Sequence, residues 1–176
     1  MKIEDNFLEQ KEFDKLQVLM MGDNFAWAYT TEVDYGFVES KTFMFFHMFY
    51  LSPIPCSQYF EILKPILNII DPLSLLRIKA NLLTRTPNII RNEFHVDVGD
   101  LEDFPERLKQ LTTSIFYVNT NNGYTEFQDG RIAMENTKVE SVANRMVTFP
   151  SNLRHRGTSC TDKKTRIVIN FNYFNF

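Results

Sequence analysis

The first clear pattern along the chain is residues 7–21, FLEQKEFDKLQVLMM, where apolar side chains recur at helical spacing between charged ones. This periodicity predicts an amphipathic helix with one face turned to a core. Asp5 or Asn6 can cap its start, and Gly22 can end it. The apolar stripe comprises Phe7, Leu8, Phe13, Leu16, Val18 and Leu19.

A second helical stretch covers residues 57–70, SQYFEILKPILNII. Pro65 lies inside it, and an internal proline lacks the N–H of the helix ladder, so the stretch should kink there or divide into two short helices. Asp71-Pro72 then stops it. Residues 1–75 are therefore expected to be mainly helical and to support the rest of the protein.

From residue 76 onward the pattern changes to short β-like runs separated by turn signals such as Asn121-Asn122-Gly123, Asp129-Gly130 and Pro150-Ser151-Asn152. Short strands at such regular spacing favour a β-sandwich or jelly roll. We therefore expect an α+β, mostly β chain, with a jelly-roll core over 76–176 and N-terminal helices that buttress one sheet. The runs are LRIKANLLT, SIFYVN, GRIAME, KVESVA, RMVTF and TRIVINFNYF.

Composition adds limits to this picture. A length of 176 residues favours one domain over 1–176, and 17 phenylalanines supply the apolar area for a core. The net charge of −3 provides no general basic surface, which makes a nucleic-acid partner unlikely. The charged N-terminus is unlike a signal peptide, and the longest apolar run, 43–51, is too short to cross a bilayer, so a cytoplasmic protein is expected.

The cysteines point to no metal site or disulfide framework. Cys56 and Cys160 are far apart and form no CxxC pair. Two buried free thiols in a reducing compartment are therefore the preferred interpretation.

The candidate chemistry is concentrated on two histidines and an aspartate. His95 and Asp97 are two residues apart, a spacing that places both side chains on one face of a strand. His155 follows a turn, and if its segment pairs beside the first, the three residues converge. Two imidazoles and one carboxylate on one face of a metal are typical of non-haem Fe(II) oxygenases, and they leave positions for a co-substrate and O₂. An ordinary His–Asp hydrogen bond and a zinc site are the alternatives.

Arg166 extends this candidate site. It begins the strongly β-forming run TRIVINFNYF, eleven residues after His155. A guanidinium can hold a carboxylate with two hydrogen bonds and stays charged when buried. Beside an open metal site, such an arginine indicates a dicarboxylate or keto-acid co-substrate, whereas an isolated arginine would more commonly form a surface ion pair.

Taken together, these motifs resemble the 2-oxoglutarate/Fe(II)-dependent oxygenase superfamily, in particular its small prolyl-4-hydroxylase-like members. The resemblance rests on His95-x-Asp97, on His155 in FPSNLRHRG and on Arg166 in TRIVINFNYF. SIFYVNTNNGYTEF (114–127) is similar to the family's strand-turn-strand with a Gly-x-Thr step, and EDNFL (4–8) to its opening into the first helix. As a compact single domain rich in Phe, Asn and Ile, the chain is also similar to members from marine bacteriophages.

The resemblance implies a jelly roll that binds Fe(II) through His95, Asp97 and His155 and uses 2-oxoglutarate and O₂. Arg166 would hold the distal carboxylate of 2-oxoglutarate, and Tyr117 and Thr125 match residues that join it. The family often has Asn-x-Tyr before the HxD motif. Here Asn81 keeps the asparagine, whereas Leu83 replaces the tyrosine.

The implied activity is hydroxylation of an unactivated C–H bond of a peptidyl proline or a small molecule, with release of succinate and CO₂. The alternatives are a non-catalytic jelly-roll module that binds a metal or a protein, and a cupin-like metalloenzyme without a keto acid. Candidate substrate-binding segments are the loop 87–93 and the aromatic residues Phe25, Trp27 and Tyr29, for which core packing is an equal alternative. His47 is expected to be a packing histidine.

Overall fold

The N-terminal part of the chain combines helices with strands. A computed structural model of the protein describes residues 1–31, 43–99, 105–128 and 136–175. Its helices are α1 (Gln10–Met21), a 3₁₀ helix (Phe60–Leu63), α2 (Lys64–Ile70) and α3 (Pro105–Leu108). Pro65 lies in the first turn of α2, so the second predicted helix does divide near the proline. None of the helices in these ranges is long and apolar enough to span a bilayer.

The strands form two antiparallel sheets. The large sheet has eight strands, in the spatial order β1-β9-β6-β11-β5-β3-β2 with β4 paired to β3, and the small sheet has the order β10-β7-β8. In chain order the strands are β1 (Lys2–Glu4), β2 (Ala28–Thr30), β3 (Met44–Leu51), β4 (Ile54–Pro55), β5 (Ser74–Thr84), β6 (Leu111–Tyr117), β7 (Tyr124–Phe127), β8 (Thr137–Glu140), β9 (Arg145–Pro150), β10 (His155–Gly157) and β11 (Thr165–Phe174).

The two faces of the large sheet are covered differently. Helix α1 packs Phe13, Leu16 and Met20 against one face, and the edges of Phe7 and Phe13 contact the ring of Phe116. The small sheet covers the opposite face, where Ile115 of the large sheet packs in one cluster with small-sheet residues of β7 and β8. Because both faces are covered, β11 is buried along almost its whole length. This is the expected mostly β jelly roll with helices against one sheet.

Several local predictions need correction. The N-terminal region is less helical than expected, since it supplies β1 to β4 to the large sheet. β3 is a run of large apolar residues without polar alternation because its two faces are both partly covered.

Helix α1 starts after Glu9, with no side-chain cap from Asp5 or Asn6, and Val18 points to solvent with 74% of its surface exposed. Cys160 is buried, but Cys56 is exposed. The run GRIAME and the Asp129-Gly130 turn lie outside the described residues.

Asn144 connects the N-terminal segment to the large sheet. Its side chain accepts a hydrogen bond from the Leu8 N–H and donates one to the Leu8 carbonyl, each at 2.9 Å. Its own backbone has φ 61°, in the left-handed region that asparagine tolerates better than most residues. One buried residue therefore holds the chain just before α1.

We expect Asn144→Ala to lower the free energy of unfolding by about 3 kcal/mol, because two buried backbone groups lose their partners. Asn6→Ala is the matched control, since Asn6 also has a positive φ, 51°, but is exposed. That control carries only the left-handed backbone penalty of about 1 kcal/mol. Urea denaturation measures both values, and equal losses would show that the side-chain bonds contribute nothing.

Candidate active site

Two histidines face each other between strands that are distant in sequence. His95 and His155 form an antiparallel bridge in which the N–H of each donates to the carbonyl of the other, both at 3.0 Å. His155 begins β10, whereas His95 lies outside the named strands. Their ring centroids are 5.1 Å apart. Pairing of the two segments, on which the sequence prediction depended, is therefore present.

The backbone also fixes which nitrogen each imidazole offers. The Nδ1 atom of His95 contacts the Glu93 carbonyl at 3.0 Å, and Nδ1 of His155 contacts the Leu153 carbonyl at 3.2 Å. A carbonyl oxygen only accepts, so Nδ1 must carry the proton in both contacts. In a neutral ring this leaves the Nε2 lone pair as the ligand atom, an arrangement common among metal-binding histidines.

Asp97 completes the group. Ligand atoms of His95, Asp97 and His155 all lie within 4.8 Å of one another, and Nε2 of His155 is 3.8 Å from Oδ1 of Asp97. Both carboxylate oxygens also accept from β11: the Asn170 amide donates to Oδ1 at 3.0 Å and the Asn172 amide to Oδ2 at 3.1 Å. The carboxylate is thereby held in one orientation.

The surroundings of Asp97 keep it ionised. Burial by itself raises the pKa of a carboxyl group, but the neighbouring His155, Arg77 and His95 and the amide of Asn172 together lower the pKa of Asp97 to about 2. Arg77 contributes through its guanidinium, which lies 3.6 Å from Oδ1 of Asp97. At neutral pH the site therefore presents one negative charge and two imidazoles.

Arg166 is buried near this group and is bonded to neutral hydroxyls. It is 3% exposed, its Nε donates to the Ser141 hydroxyl at 2.8 Å and its Nη2 to the Thr125 hydroxyl at 3.0 Å. Among the described residues no carboxylate forms a salt bridge with it. Burial lowers the pKa of the Arg166 guanidinium, but an arginine stays charged in proteins. A buried charge paired only with neutral hydroxyls is incomplete and suits an anionic ligand.

Thr125 connects Arg166 to Tyr117. The Tyr117 hydroxyl donates to Thr125 Oγ1 at 2.8 Å, and the same oxygen accepts from Arg166. With both acceptor positions used, the Thr125 hydroxyl hydrogen is left to donate elsewhere. Tyr117 itself is fully buried, and burial raises the pKa of its phenol, so it stays neutral. Tyr117, Thr125 and Arg166 thus form one hydrogen-bonded cluster, and their role in binding a co-substrate stays a prediction.

One cavity is lined by residues of the metal-ligand group and by residues of the Arg166 cluster. It has an empty volume of about 470 Å³, part of which is open to solvent, and it lies between the two sheets. His95 and His155 of the metal-ligand group line it, and so do Thr125 and Arg166. Asn81 and Leu83 also border it. A small molecule in this cavity could contact both groups at once.

Other candidate residues have packing roles. His47 is bonded at both ring nitrogens, to the Ala26 carbonyl and the Ser57 hydroxyl, each at 2.7 Å. Phe25 is buried, stacks on Tyr59 and meets Trp27 edge to face, whereas Tyr29 is 58% exposed. Core packing therefore accounts for Phe25, and substrate contact by these aromatic residues stays a prediction. The loop 87–93 runs beside the site, where the Asn92 side chain lines the cavity.

Sequence reasoning missed the residues that support Asp97. Asn170 and Asn172 follow Arg166 at spacings of four and six in β11, so all three point to the same face as the cavity. Arg77 lies opposite Asn172 on β5 and donates to its side-chain oxygen at 3.1 Å. Asparagine is uncommon inside strands, so two of them alternating in a run as apolar as TRIVINFNYF were a usable signal.

Comparison with known proteins agrees with this geometry. Residues 90–174 match the family model described as the 2OG-Fe(II) oxygenase superfamily, where 2OG is 2-oxoglutarate. The matched segment is therefore similar to this superfamily. The matched range contains His95, Asp97, His155 and Arg166. It also includes both asparagines that hold Asp97. A comparison with curated proteins finds no sequence match.

Solved structures show the same fold at low sequence identity. A prolyl hydroxylase from Trichoplax adhaerens, in complex with a hypoxia-inducible-factor peptide fragment, has a TM-score of 0.68 at 15% identity, over 98% of this chain and 82% of that one. A Pseudomonas putida prolyl-4-hydroxylase has a TM-score of 0.59 at 13% identity, over 99% and 92%. HygX from Streptomyces hygroscopicus, with nickel, 2-oxoglutarate and hygromycin B, has a TM-score of 0.63 at 12% identity, over 98% and 81%.

The residues present fit the groups that a 2OG-Fe(II) oxygenase uses. Two imidazoles, each with Nδ1 bonded to a backbone carbonyl, and one ionised carboxylate are suitable iron ligands. Arg166 and Thr125 offer a buried cation and a hydroxyl donor for the far carboxylate of a keto acid. Iron and 2-oxoglutarate are therefore the cofactor and co-substrate of this oxygenase. The similarity to bacteriophage members stays a prediction.

A substitution at Gly123 can test whether the position of Arg166 matters for 2-oxoglutarate binding. A Cβ atom at residue 123 would lie 2.7 Å from Cδ of Arg166, 2.7 Å from the Ser159 carbonyl and 2.8 Å from Oδ1 of Asn121. We expect Gly123→Ala to displace the arginine and to weaken 2-oxoglutarate binding by about tenfold or more, because a charged hydrogen bond would be lost or bent. Calorimetry with Mn(II)-loaded protein measures the dissociation constant.

Gly99→Ala is the matched control, since a Cβ there meets nothing within 4 Å. The control should bind 2-oxoglutarate as the unaltered protein does. Equal affinity of all three proteins would mean that Gly123 does not position the arginine for the ligand.

Proposed function

We propose that the protein is a 2-oxoglutarate- and Fe(II)-dependent dioxygenase that hydroxylates an unactivated C–H bond of a peptidyl proline or of a small molecule. The observation that carries the proposal is one cavity lined both by the two histidines of the His-Asp-His group and by a buried arginine that is bonded to neutral hydroxyls. A metal site alone would not need that arginine. A keto acid that binds a metal through one end and Arg166 through the other uses both.

In this proposal His95, Asp97 and His155 hold Fe(II). The backbone carbonyls of Glu93 and Leu153 keep each imidazole in the tautomer that offers Nε2. Asn170 and Asn172 keep both oxygens of Asp97 in place, so the ligands are preorganised. Three protein ligands would hold the metal and would leave it able to bind a co-substrate and O₂ as well.

Arg166 binds the distal carboxylate of 2-oxoglutarate, and the Thr125 hydroxyl donates to the same group. Tyr117 fixes the Thr125 oxygen and so sets the direction of its hydroxyl hydrogen. Asn81 borders the same cavity and contacts the co-substrate along its length. Leu83, where relatives often have a tyrosine, makes an apolar contact in place of a phenolic hydrogen bond. The iron and keto acid together supply the oxidation, in which O₂ is consumed and succinate, CO₂ and a hydroxylated product are formed.

Two of the similar structures were solved with ligands that indicate substrate classes. The similar prolyl hydroxylase of Trichoplax adhaerens was solved with a peptide, and HygX with the small molecule hygromycin B. The first candidate substrate is a peptidyl proline, and the second is a small molecule. The loop 87–93 and the exposed ring of Tyr29 are the proposed contacts.

Addition of Fe(II) and 2-oxoglutarate without oxygen is the direct test of the proposed function. The chelate formed by a keto acid on ferrous iron gives a weak visible charge-transfer band, which a structural zinc site or a metal-free binding module would not give. Its appearance with one equivalent of each ligand supports the proposal. A protein that binds Fe(II) but forms no chelate band would instead be a metal-binding module or a keto-acid-independent enzyme.

Loss of an iron ligand should abolish turnover. We expect His155→Ala and Asp97→Ala to form no succinate above background, since each leaves two ligands for the metal. His47→Ala is the control: it removes the remaining histidine, which is bonded within the core, and should lower stability but keep turnover below its melting temperature. Succinate assay and circular dichroism measure both properties, and full activity in His155→Ala would refute the ligand assignment.

Loss of Arg166 should act on the co-substrate. We expect Arg166→Ala to raise the Michaelis constant for 2-oxoglutarate by about 10-fold to 100-fold, because a hydrogen bond to a charged group contributes roughly 1.5 to 3 kcal/mol. Arg85→Ala, an exposed arginine one residue beyond β5, should leave it unchanged. An unaltered Michaelis constant for 2-oxoglutarate in the folded Arg166→Ala protein would show that Arg166 does not bind the co-substrate.

A further inference from the structure

Lys79 lies on the same face of the large sheet as the active site. Side chains alternate along β5: Ile78 and Ala80 are fully buried in the core beside the helices, whereas Asn81 and Leu83 line the cavity. Arg77, on the cavity side as well, contacts Asp97. Lys79 therefore stands between Arg77 and Asn81, beside the proposed iron ligands.

The ammonium group of Lys79 is half-buried without an acid to neutralise it. It lies 5.1 Å from the centre of the Phe46 ring, on the neighbouring strand β3. Within residues 1–31, 43–99, 105–128 and 136–175, no carboxylate forms a salt bridge with it. The nearest negative charge that influences it is Asp97, and Asp97 already faces Arg77 and the histidines. Half-buried cations are usually paired, so this position favours an anionic group of a ligand.

An unused hydrogen-bond acceptor lies directly across from Lys79. Asn170 is its partner on β11, and the Oδ1 atom of Asn170 is buried with no hydrogen-bond partner among the described residues. The amide cannot be turned round to hide this oxygen, because its nitrogen donates to the carboxylate of Asp97 and an oxygen there would be repelled. Asn170 lines the cavity, so the unused acceptor belongs to a residue that a bound ligand can contact.

We propose that Lys79 binds the α-carboxylate of a free amino acid substrate and that the Oδ1 atom of Asn170 accepts a hydrogen bond from its α-ammonium group. Residues that face each other across two antiparallel strands have Cα atoms about 5 Å apart. The Lys79 ammonium leans over Phe46 of β3, on the other side of β5 from Asn170, so a zwitterion whose negative and positive groups share one carbon can lie between the cation and the acceptor. This inference rests on the proposed function and selects a zwitterionic small molecule over an internal prolyl segment.

The charge balance of the site supports an anionic substrate. Arg77, Lys79 and Arg166 face the inner side of the large sheet with one carboxylate, Asp97, among the described residues. Ferrous iron adds two positive charges, and 2-oxoglutarate adds two negative ones. The loaded site therefore keeps an excess of positive charge, which a substrate carboxylate next to Lys79 reduces.

Direct binding tests the proposal without turnover. The protein is loaded with Mn(II), which does not support oxidation, and with 2-oxoglutarate, and is then titrated calorimetrically with the common L-amino acids, their primary amides and their N-acetyl derivatives. We expect at least one amino acid to bind. Its amide, which lacks the carboxylate, and its N-acetyl form, which lacks the ammonium group, should each bind about tenfold more weakly or worse.

Variants assign the effect to Lys79. Lys79→Met should weaken binding of that amino acid about tenfold or more, and Lys79→Arg should restore part of it. Lys138→Met is the matched control, because the Lys138 ammonium also lies over an aromatic ring, 5.3 Å from the centre of Tyr124, but at a different cavity. Affinity for 2-oxoglutarate should be the same in all four proteins.

Four results would overturn the inference: no amino acid binds, the amide binds as well as the acid, Lys79→Met leaves the affinity unchanged, or short peptides with an acidic residue bind while free amino acids do not. Absence of the chelate band in the unaltered protein would refute the proposed function. The two failures can be distinguished, because the calorimetric measurement uses neither iron nor oxygen.

Discussion

The pair of backbone hydrogen bonds between His95 and His155 is the contact on which the active site depends. It joins a segment without regular secondary structure to the first residue of β10. Side chains of directly paired residues point the same way, so both imidazoles meet without any long side chain having to bend. Asp97 then needs only the two-residue step from His95 to join them. The site is thus set by backbone pairing, with the carbonyls of Glu93 and Leu153 adding the correct tautomers.

The inner face of the large sheet supplies the rest of the site as an ordered strip. Along β11, Arg166, Val168, Asn170 and Asn172 face the cavity side in turn, opposite Leu83, Asn81, Lys79 and Arg77 of β5. The strip has a cation for a keto acid at one end and two amides for the metal-binding carboxylate at the other. Polar groups at this depth cost free energy unless they are paired, and here each buried pairing has a role in the proposed reaction.

The fold class and the central residues were predictable because they leave local signals. Short apolar runs with turn residues between them indicated the jelly roll, and His95-x-Asp97, His155 and Arg166 have fixed spacings. β3 was missed because a run of large apolar residues without alternation does not distinguish a strand from other buried structure. Asn170, Asn172 and Arg77 were missed because their role exists only through contacts with Asp97, which no spacing within one segment reveals. Val18 shows the converse, since an apolar residue at helical spacing can still face solvent.

Thr125 belongs to the small sheet, whereas Tyr117 and Arg166 belong to the large one, and its hydroxyl oxygen accepts from both. A dicarboxylate held by Arg166 and Thr125 would therefore fasten the two layers of the sandwich together near their open edge. Any ligand that binds only the closed arrangement adds its binding free energy to the stability of the folded chain. If Arg166 and Thr125 hold the keto acid in this way, the resistance of the protein to unfolding and proteolysis would rise with the supply of that ligand.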